Sequence, residues 1–344
     1  RTSVLSIPAV AGVADSQAAD DGLLRDISLL TFRGPAPMGR VASLAGEQGF
    51  DRIVSENWLE VAMIDGLYVP TGYRNLLDVR QTEKAIRRVK EFFQLNLAFE
   101  LNLTRVTAPL FVRSGTGIND DLNGVEKPVS FAVAGLGGER VEIVQSLAKW
   151  KRLPLADLGF EPGEGIYTDM NAIRADEQLD NTHSLYVDQW DWERVLTAPA
   201  RNLDTLKETV RRIYDVIRRT ERCLCHEFTA IEPILPDTIA FVHTEELAAR
   251  YPDLTPRQRE DRICREHGAV FIIGIGHQLA DGQPHDGRAP DYDDWSSPTD
   301  PGHHGLNGDI FVYNPILDSA YELSSMGIRV DETALLRQLD IRGC

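Results

Sequence analysis

Gln189, Asp191 and Glu193 alternate along Ser184-Leu185-Tyr186-Val187-Asp188-Gln189-Trp190-Asp191-Trp192-Glu193. Read as a β-strand, this run puts an amide and two carboxylates on one face with Leu185 and Val187. Ser184, Tyr186, Asp188, Trp190 and Trp192 take the other face, the expected packing side. A buried row of polar groups is costly unless each meets a partner. Two readings compete: the wet face of an antiparallel sheet, or the floor of a site for a polar ligand. A second concentration of chemistry lies downstream. Asp281, Asp286, Asp291, Asp293, Asp294, Asp300 and Asp309 fall within 29 residues, with Arg288 among them. Gly302, Gly305 and Gly308 loosen the backbone there. Glu322 and Ser324 share a face of a later strand, and Arg329 follows. Arg174, with Asp176 and Glu177 close behind, offers a planar fork suited to phosphate or carboxylate. Carboxylates and an arginine converging from separate strands make a metal–phosphate site. Acidic loops are also common on acidic proteins.

Strands and helices must bring these groups together. Ile86, Val89, Phe93, Leu97 and Leu101 recur at helical spacing, with Thr82 as the expected N-cap. Residues 103–112 read as a strand containing Pro109, which argues for an edge or an interface. Residues 115–124 are a loop by composition, and Asp120 lies within it. Strands follow at 129–134 and 140–147, joined through Gly137-Gly138. Lys149, Lys151 and Arg152 read as a solvated helix start. Leu203 to Leu224 mark a long amphipathic helix, and Thr255-Pro256 starts another. Residues 238–243, 269–275, 307–313 and 320–326 read as strands. Asp331 caps a last short helix. Few βαβ units are suggested.

The chain has 344 residues, 42% hydrophobic and 26% charged, ordinary for a globular protein. No apolar run approaches the roughly 18 residues of a membrane span. The formal net charge of −17 argues against a broad nucleic-acid surface, which needs lysine and arginine in excess. Cys223, Cys225, Cys264 and Cys344 form no framework of repeated spacings and read as reduced thiols of a cytoplasmic protein. Residues 1–62 are weakly patterned. The expectation is an N-terminal extension that is poorly packed and dispensable, with 63–344 as the catalytic domain and Met63 as a plausible start.

Four motifs, in order, carry a resemblance. They are Ser146-Leu147-Ala148-Lys149-Trp150-Lys151-Arg152, Tyr186-Val187-Asp188-Gln189-Trp190-Asp191-Trp192-Glu193, Ala289-Pro290-Asp291-Tyr292-Asp293-Asp294-Trp295 and Glu322-Leu323-Ser324-Ser325-Met326-Gly327-Ile328-Arg329. Together the chain from about Tyr68 to Cys344 resembles the ammonia-dependent asparagine synthetases, the A-type aspartate–ammonia ligases. The resemblance implies an α+β fold like the catalytic core of class II aminoacyl-tRNA synthetases, a mostly antiparallel sheet flanked by helices, acting as a homodimer; the scarcity of βαβ rhythm fits it. The helix from Thr82 and the strand through Pro109 match the first class II motif, which builds the dimer interface. Arg174 with Asp176 and Glu177 resembles the second motif.

The implied reaction joins aspartate and ammonia at the expense of ATP, with Mg2+, giving asparagine, AMP and diphosphate through a β-aspartyl adenylate. Carried over by position, Asp120, Lys151 and Arg174 are the catalytic candidates. Asp120 approaches the substrate and the incoming ammonia. Lys151 supplies charge for a carboxylate, and Arg174 bridges phosphate and the reacting carboxylate. Ser146, Gln189, Asp191, Ser324, Ser325 and Arg329 are the aspartate-binding candidates. Asp293, Asp309 and Glu322 join Arg174 as nucleotide contacts, and Asp309 and Glu322 are the metal ligands.

The third class II motif, a Gly-rich segment with an arginine, has no counterpart before Cys344. The expectation from sequence is therefore a C-terminally truncated domain whose activity is doubtful. The competing reading is a non-catalytic paralogue that binds an amino acid or AMP. A tRNA-charging enzyme is disfavoured by the acidic charge and the absence of an evident anticodon domain. No membrane partner is expected.

Overall fold

The computed structural model describes the backbone of residues 2–10, and residues 67–120 and 126–343 in full. In chain order the strands are β1 (Thr2–Val10), β2 (Leu103–Arg105), β3 (Phe111–Arg113), β4 (Ser130–Val133), β5 (Glu139–Ile143) and β6 (Gly165–Ile173). They continue with β7 (Tyr186–Thr197), β8 (Ala240–His243), β9 (Ala269–Ile273), β10 (Asn307–Asn314) and β11 (Ser319–Ile328). The helices are α1 (Val79–Leu101), α2 (Arg152–Asp157), α3 (Leu203–Glu227), α4 (Thr244–Arg250), α5 (Pro256–His267) and α6 (Glu332–Arg342).

Eight strands form one sheet in the order β2-β6-β7-β1-β11-β10-β9-β8. Its interior pairs are antiparallel, and only the two edge pairs, β2 with β6 and β8 with β9, run parallel. A smaller sheet, β3-β5-β4, stands apart. Thr2–Val10, from the segment expected to be poorly packed and dispensable, pairs with β7 on one side and β11 on the other. Residues 11–62 of that segment lie outside the described residues, as does Cys344.

The N-cap of helix α1 is Asp78, four residues before the expected Thr82. Asp78 accepts from the Gln81 amide, and Gln81 reaches back to the Asp78 amide, closing a capping box. Thr82 instead donates its hydroxyl to the Asp78 carbonyl. The helix stops at Asn102, which adopts a left-handed φ of 57°, a conformation asparagine tolerates better than most residues. The long helix α3 starts behind Asn202, whose side chain accepts from the Thr205 amide. Residues 103–112 do not form one strand. Chain pairing breaks around Pro109, which has no N–H to donate, and separate strands β2 and β3 flank it.

The main core lies between the sheet and helices α1 and α3. Phe93, Leu97 and Leu101 of α1 and Leu206, Val210 and Ile213 of α3 pack on Trp190 and Trp192 of β7, Phe271 of β9 and Met326 and Ile328 of β11. Each fully buried large side chain contributes about 1.5–3 kcal/mol. This cost–gain balance orients β7: with two tryptophans committed to the helices, Gln189, Asp191 and Glu193 must face the other way. Among the described residues, no helix is long and apolar enough to cross a membrane.

Candidate active site

On the face of β7 away from the helices, the three polar residues are fully enclosed. Gln189 is 3% exposed, Asp191 1% and Glu193 0%, so the wet-face reading fails. Apolar side chains border them on the same face, Val187 in one small cluster and Val195 in another. Burial at this level demands partners, and cations supply them.

Lys151 is the first cation. The sequence placed it in a solvated helix start, but its side chain is only 1% exposed. Its ammonium bonds Asp191, donates to the Trp192 carbonyl at 3.3 Å and lies 3.3 Å from Glu193. All three N–H groups are therefore engaged. Burial pulls the ammonium down, yet Asp191, Tyr292 and Glu193 outweigh it and hold Lys151 above the ordinary lysine value. Burial likewise pushes Asp191 up against the pull of Lys151. We assign the ion-paired state, because two carboxylates share the one ammonium.

Arg329, just beyond β11, is the second cation, with 2% of its side chain exposed. Its Nε and Nη2 donate to the two oxygens of Glu193 at 3.2 and 3.3 Å, a fork-on-carboxylate pair. Its Nη1 bonds Asp293, and Nη2 also bonds the Tyr292 hydroxyl. Burial pushes that phenol up to about 12 against the pull of Arg329, so it remains neutral. Lys151, Asp191, Glu193, Asp293, Tyr292 and Arg329 thus form one buried network. Arg201 supports it from outside, donating to the Arg329 carbonyl at 3.1 Å and bonding Asp294.

Gly327 is the close approach that lets Asp293 reach Arg329. A Cβ there would sit 2.6 Å from the Asn307 Cβ and 2.7 Å from the Asp293 carboxylate. Gly327→Ala is therefore expected to cost about 1–3 kcal/mol through overpacking, read as a lower urea midpoint with an unchanged slope. A variant as stable as the parent would show that Asp293 has room to move.

A second group of residues lines a cavity of roughly 430 Å³. Arg174, one residue past β6, forms one wall with Glu177, 3.7 Å away. Asp309 of β10 and Glu322 of β11 also line it, in an acidic wall with Glu260 and His285. The strands are not in simple alternation here. The β10–β11 register slips by one residue between Ile310 and Phe311, so Glu322 pairs with Phe311 and Ser325 with Asp309. The expected same-face pairing of Glu322 with Ser324 does not hold. Ser324 instead sits opposite Ile310, a core residue. The bulge brings Glu322 and Ser325 to the side of Asp309.

Arg288 organises this wall. Its Nη2 donates to Asp309 at 2.5 Å and to the Ser325 hydroxyl at 3.2 Å. Glu322 is solvent-exposed on the cavity side and desolvated by the protein around it on the others. That desolvation, with Asp309 as the next cause, pushes it up to about 8. Glu260 is raised by burial and held by His285 at 2.9 Å. Three acids, Asp309, Glu322 and Asp286, act on the one arginine.

Several buried polar atoms on these residues have no partner. They include Gln189 Oε1, Asp309 Oδ1, Ser324 Oγ, Arg174 Nε and both side-chain atoms of Gln145. Native interiors leave few such groups, and those left over mark ligand positions. Gln189 makes only a 3.9 Å contact to Met170 sulfur.

Ser146 stands on the segment between β5 and α2, and Asp120 on the segment that follows β3. The Ser146 hydroxyl accepts from the Ala148 amide at 3.1 Å and shapes the turn that delivers Lys151. Asp120 is half-buried beside Asn119, which is anchored to β5: the Gln145 amide donates to Asn119 at 2.9 Å, and Asn119 donates to the Ile143 carbonyl at 3.3 Å. Asp293 lies in the buried network and not on the cavity wall. Residues absent from the sequence-derived site are Glu193, Tyr292, Arg288, Glu260 and His285. Arg288 and Tyr292 sat in the acidic run and its aspartate-rich motif, a usable signal. Glu260 carried none, being one of many charges on an exposed helix pattern.

A family model described as aspartate–ammonia ligase matches residues 80–344. An aspartate–ammonia ligase of Parabacteroides distasonis is 59% identical over 275 residues, 80% of each chain. The Bacteroides fragilis protein of that description is 60% identical over 273 residues, 79% of each chain. One from Clostridium perfringens is 57% identical over 281 residues, 82% of this chain and 81% of its own. Among solved structures, Entamoeba histolytica asparaginyl-tRNA synthetase with asparaginyl-adenylate superposes with a TM-score of 0.54 at 12% identity. It covers 90% of this chain, which spans 63% of that one. The Pyrococcus horikoshii asparaginyl-tRNA synthetase gives 0.51 at 15% identity, with 76% and 57% covered. At these identities the likeness establishes the class II aminoacyl-tRNA synthetase fold alone.

Proposed function

The chain belongs to the aspartate–ammonia ligase family and is a ligase that makes asparagine from aspartate; on that premise we propose that it does so with ATP and free ammonia through a β-aspartyl adenylate. The side-chain carboxylate of aspartate attacks the α-phosphorus of ATP, and diphosphate leaves. Ammonia then adds to the acyl carbon, AMP leaves with the bridging oxygen, and a proton is lost to solvent. The observation that carries this reading is the conjunction of Arg174 with an acid-lined cavity in which Asp309 keeps an unpartnered carboxylate oxygen and Arg174 an unpartnered Nε. A cation and a phosphate-bearing ligand are what those groups lack.

Arg174 neutralises the α-phosphate and orients the attacking carboxylate. Gln189 and Asp191 form the floor for aspartate, with Ser146 and Ser325 completing the pocket. Lys151 and Arg329, each clamped between carboxylates, supply fixed positive charge that needs no reorganisation during the reaction. Asp293 acts on the nucleotide side by holding Arg329. Asp120 stands in the loop from which ammonia is received. Asp309 and Glu322 suit Mg2+: one has an unpartnered oxygen and the other is repelled by it, a carboxylate pair short of a cation. When bound, Mg2+ offsets charge on the ATP phosphates.

Residues 63–344 hold the catalytic domain, and the site of action is the cytoplasm. Nucleic acid and membrane have no part in it. The working unit is a homodimer joined through α1 and the small sheet. Leu95 and Phe99 of α1 are 64% and 87% exposed, and the edge-on ring pair Phe111–Phe131 is also exposed, an apolar surface large enough to associate. Phe99→Asp is expected to convert the dimer to monomer in sedimentation velocity. A parent chain that already sediments as a monomer would remove the dimer from this reading.

The activity is tested with aspartate labelled with 18O in its side-chain carboxylate. One labelled oxygen should appear in AMP for each asparagine formed. Unlabelled AMP, or ADP with labelled orthophosphate in place of AMP, would exclude the adenylate. Aspartate binding with no AMP release would identify a binding protein.

A further inference from the structure

The cavity that Arg174 lines is also lined by Pro256, Arg257, Glu260 and Asp261, from the first turns of α5. Residues three and four apart share a helix face, so Arg257, Glu260 and Asp261 lie on the same side of α5. Two bonds fix that side against the cavity. Glu260 is hydrogen-bonded to His285 at 2.9 Å, and Asp261 accepts from the Ala320 amide at 2.7 Å. Ala320 stands two residues before Glu322 on β11. Helix α5 is thereby pinned beside the acids suited to Mg2+, with Arg257 one turn nearer its N-terminus.

Glu260 and Asp261 are the ordinary helix partners for an arginine at 257, but His285 and the Ala320 amide hold them. The other arginines of α5 are engaged. Arg259 donates to the Tyr251 carbonyl at 3.0 Å, Arg262 pairs with Glu266 at 3.0 Å and Arg265 with Asp318 at 2.9 Å. Arg257 is exposed and has no ion-pair or hydrogen-bond partner among the described residues. A lone exposed arginine is usually a solvated charge. The make-up of this cavity gives it a task. Six carboxylates line it, Glu177, Glu260, Asp261, Asp286, Asp309 and Glu322, against two arginines, Arg174 and Arg257. Arg174 is 3.7 Å from Glu177. Asp309 is 2% exposed and keeps its Oδ1 without a partner. A polyphosphate entering such a lining must bring a divalent cation to the acids and find a further cation for its own charge. Arg257 is the lining arginine that no carboxylate holds.

We propose that Arg257 is a further catalytic residue, which holds the diphosphate portion of ATP, the leaving group of the first step. The reaction is that of the ligase reading above, on which this role rests. When an oxygen of the aspartate side chain bonds to the α-phosphorus, the bond from that phosphorus to the bridging oxygen of diphosphate breaks. The electron pair stays on that oxygen, so negative charge grows on the diphosphate. The guanidinium of Arg257 presents its planar fork to two phosphate oxygens and offsets this charge. Exposure suits the role, because the diphosphate has to be released to solvent after the step.

The test has two arms, both on the full chain in Mg2+. Calorimetry with inorganic diphosphate measures binding without turnover. Arg257→Gln should weaken it about 10- to 100-fold and Arg257→Lys less, while AMP binds to parent and variants alike. Exchange of labelled diphosphate into ATP, with aspartate present, measures the first chemical step. In Arg257→Gln it should fall by a similar factor, with the KM for aspartate unchanged. Arg262→Gln, at a position outside the cavity lining, is the control and should match the parent in both arms. Arg257 is exposed, so its variants should keep the parent's thermal melt. A parent that binds no diphosphate would overturn the assignment, as would unchanged diphosphate affinity in Arg257→Gln or an equal loss of affinity for AMP. If the parent exchanges label and Arg257→Gln matches it, the role of Arg257 falls and the ligase reading stands. If diphosphate binding depends on Arg257 in a chain that exchanges no label, the diphosphate site stands and the ligase reading falls.

Discussion

Lys151→Met is expected to destabilise the chain by about 3–5 kcal/mol and to abolish asparagine formation. The ammonium is the partner of two carboxylates with almost no access to water: Asp191 is paired directly, and Glu193 lies 3.3 Å away. Removing it leaves Glu193 with Arg329 but leaves Asp191 without a cation. A buried unpaired carboxylate must then become protonated or draw water into the sheet. The rule that breaking a buried pair costs more than replacing it yields a second expectation. Lys151→Met combined with Asp191→Leu should recover much of the lost stability while remaining inactive. Urea unfolding of the two variants, with AMP release measured on both, separates the structural role of Lys151 from its chemical one. A single variant within about 1 kcal/mol of the parent would contradict the idea that Asp191 depends on this cation.

Glu322→Gln is expected to behave in the opposite way. Turnover should fall about 100- to 1,000-fold, the scale of losing one fixed electrostatic contact. Stability should stay within about 0.5 kcal/mol of the parent or rise. Glu322 is held up at about 8 by desolvation and by Asp309. Its charge is disfavoured in the folded chain, so amide substitution relieves repulsion. The remaining activity should need more Mg2+ to saturate, because half of the proposed oxygen pair is gone. The measurement is turnover across a Mg2+ series beside a thermal melt. Parent-like turnover at low Mg2+ would remove Glu322 from the metal role. Together the two variants contrast a network that holds the fold with a wall kept strained for ligand.

Much of this was legible in the residues. The period-two alternation of 184–193 put Gln189, Asp191 and Glu193 on one face and both tryptophans on the other, as the structure has them. That reading succeeds because strand geometry is local. Helix α3, the apolar strand β9 and the Asp331 cap of α6 were legible for the same reason. The motifs carried further, since their order pointed to a ligase of this family before any geometry was available.

What stayed hidden depends on partners distant in the chain. Lys149 and Lys151 look alike in sequence, two cations two residues apart. Lys149 is a third exposed and 3.5 Å from Asp291, whereas Lys151 is sealed against β7. Only the packing of the turn before α2 separates them. The slip of register between β10 and β11 could not be read from alternation, because one extra residue exchanges the faces beyond it. It decides that Ser325, and not Ser324, stands beside Asp309 and Arg288.

The sequence by itself determined the family, the α+β class and the polar face of β7, because strand and helix periodicity and motif order are properties of neighbouring residues. The tertiary structure alone decided which charges meet: Lys151 with Asp191, Arg329 with Glu193 and Asp293, and Arg288 with Asp309. Electrostatic pairing and burial depend on distances across the fold, which spacing along the chain does not encode.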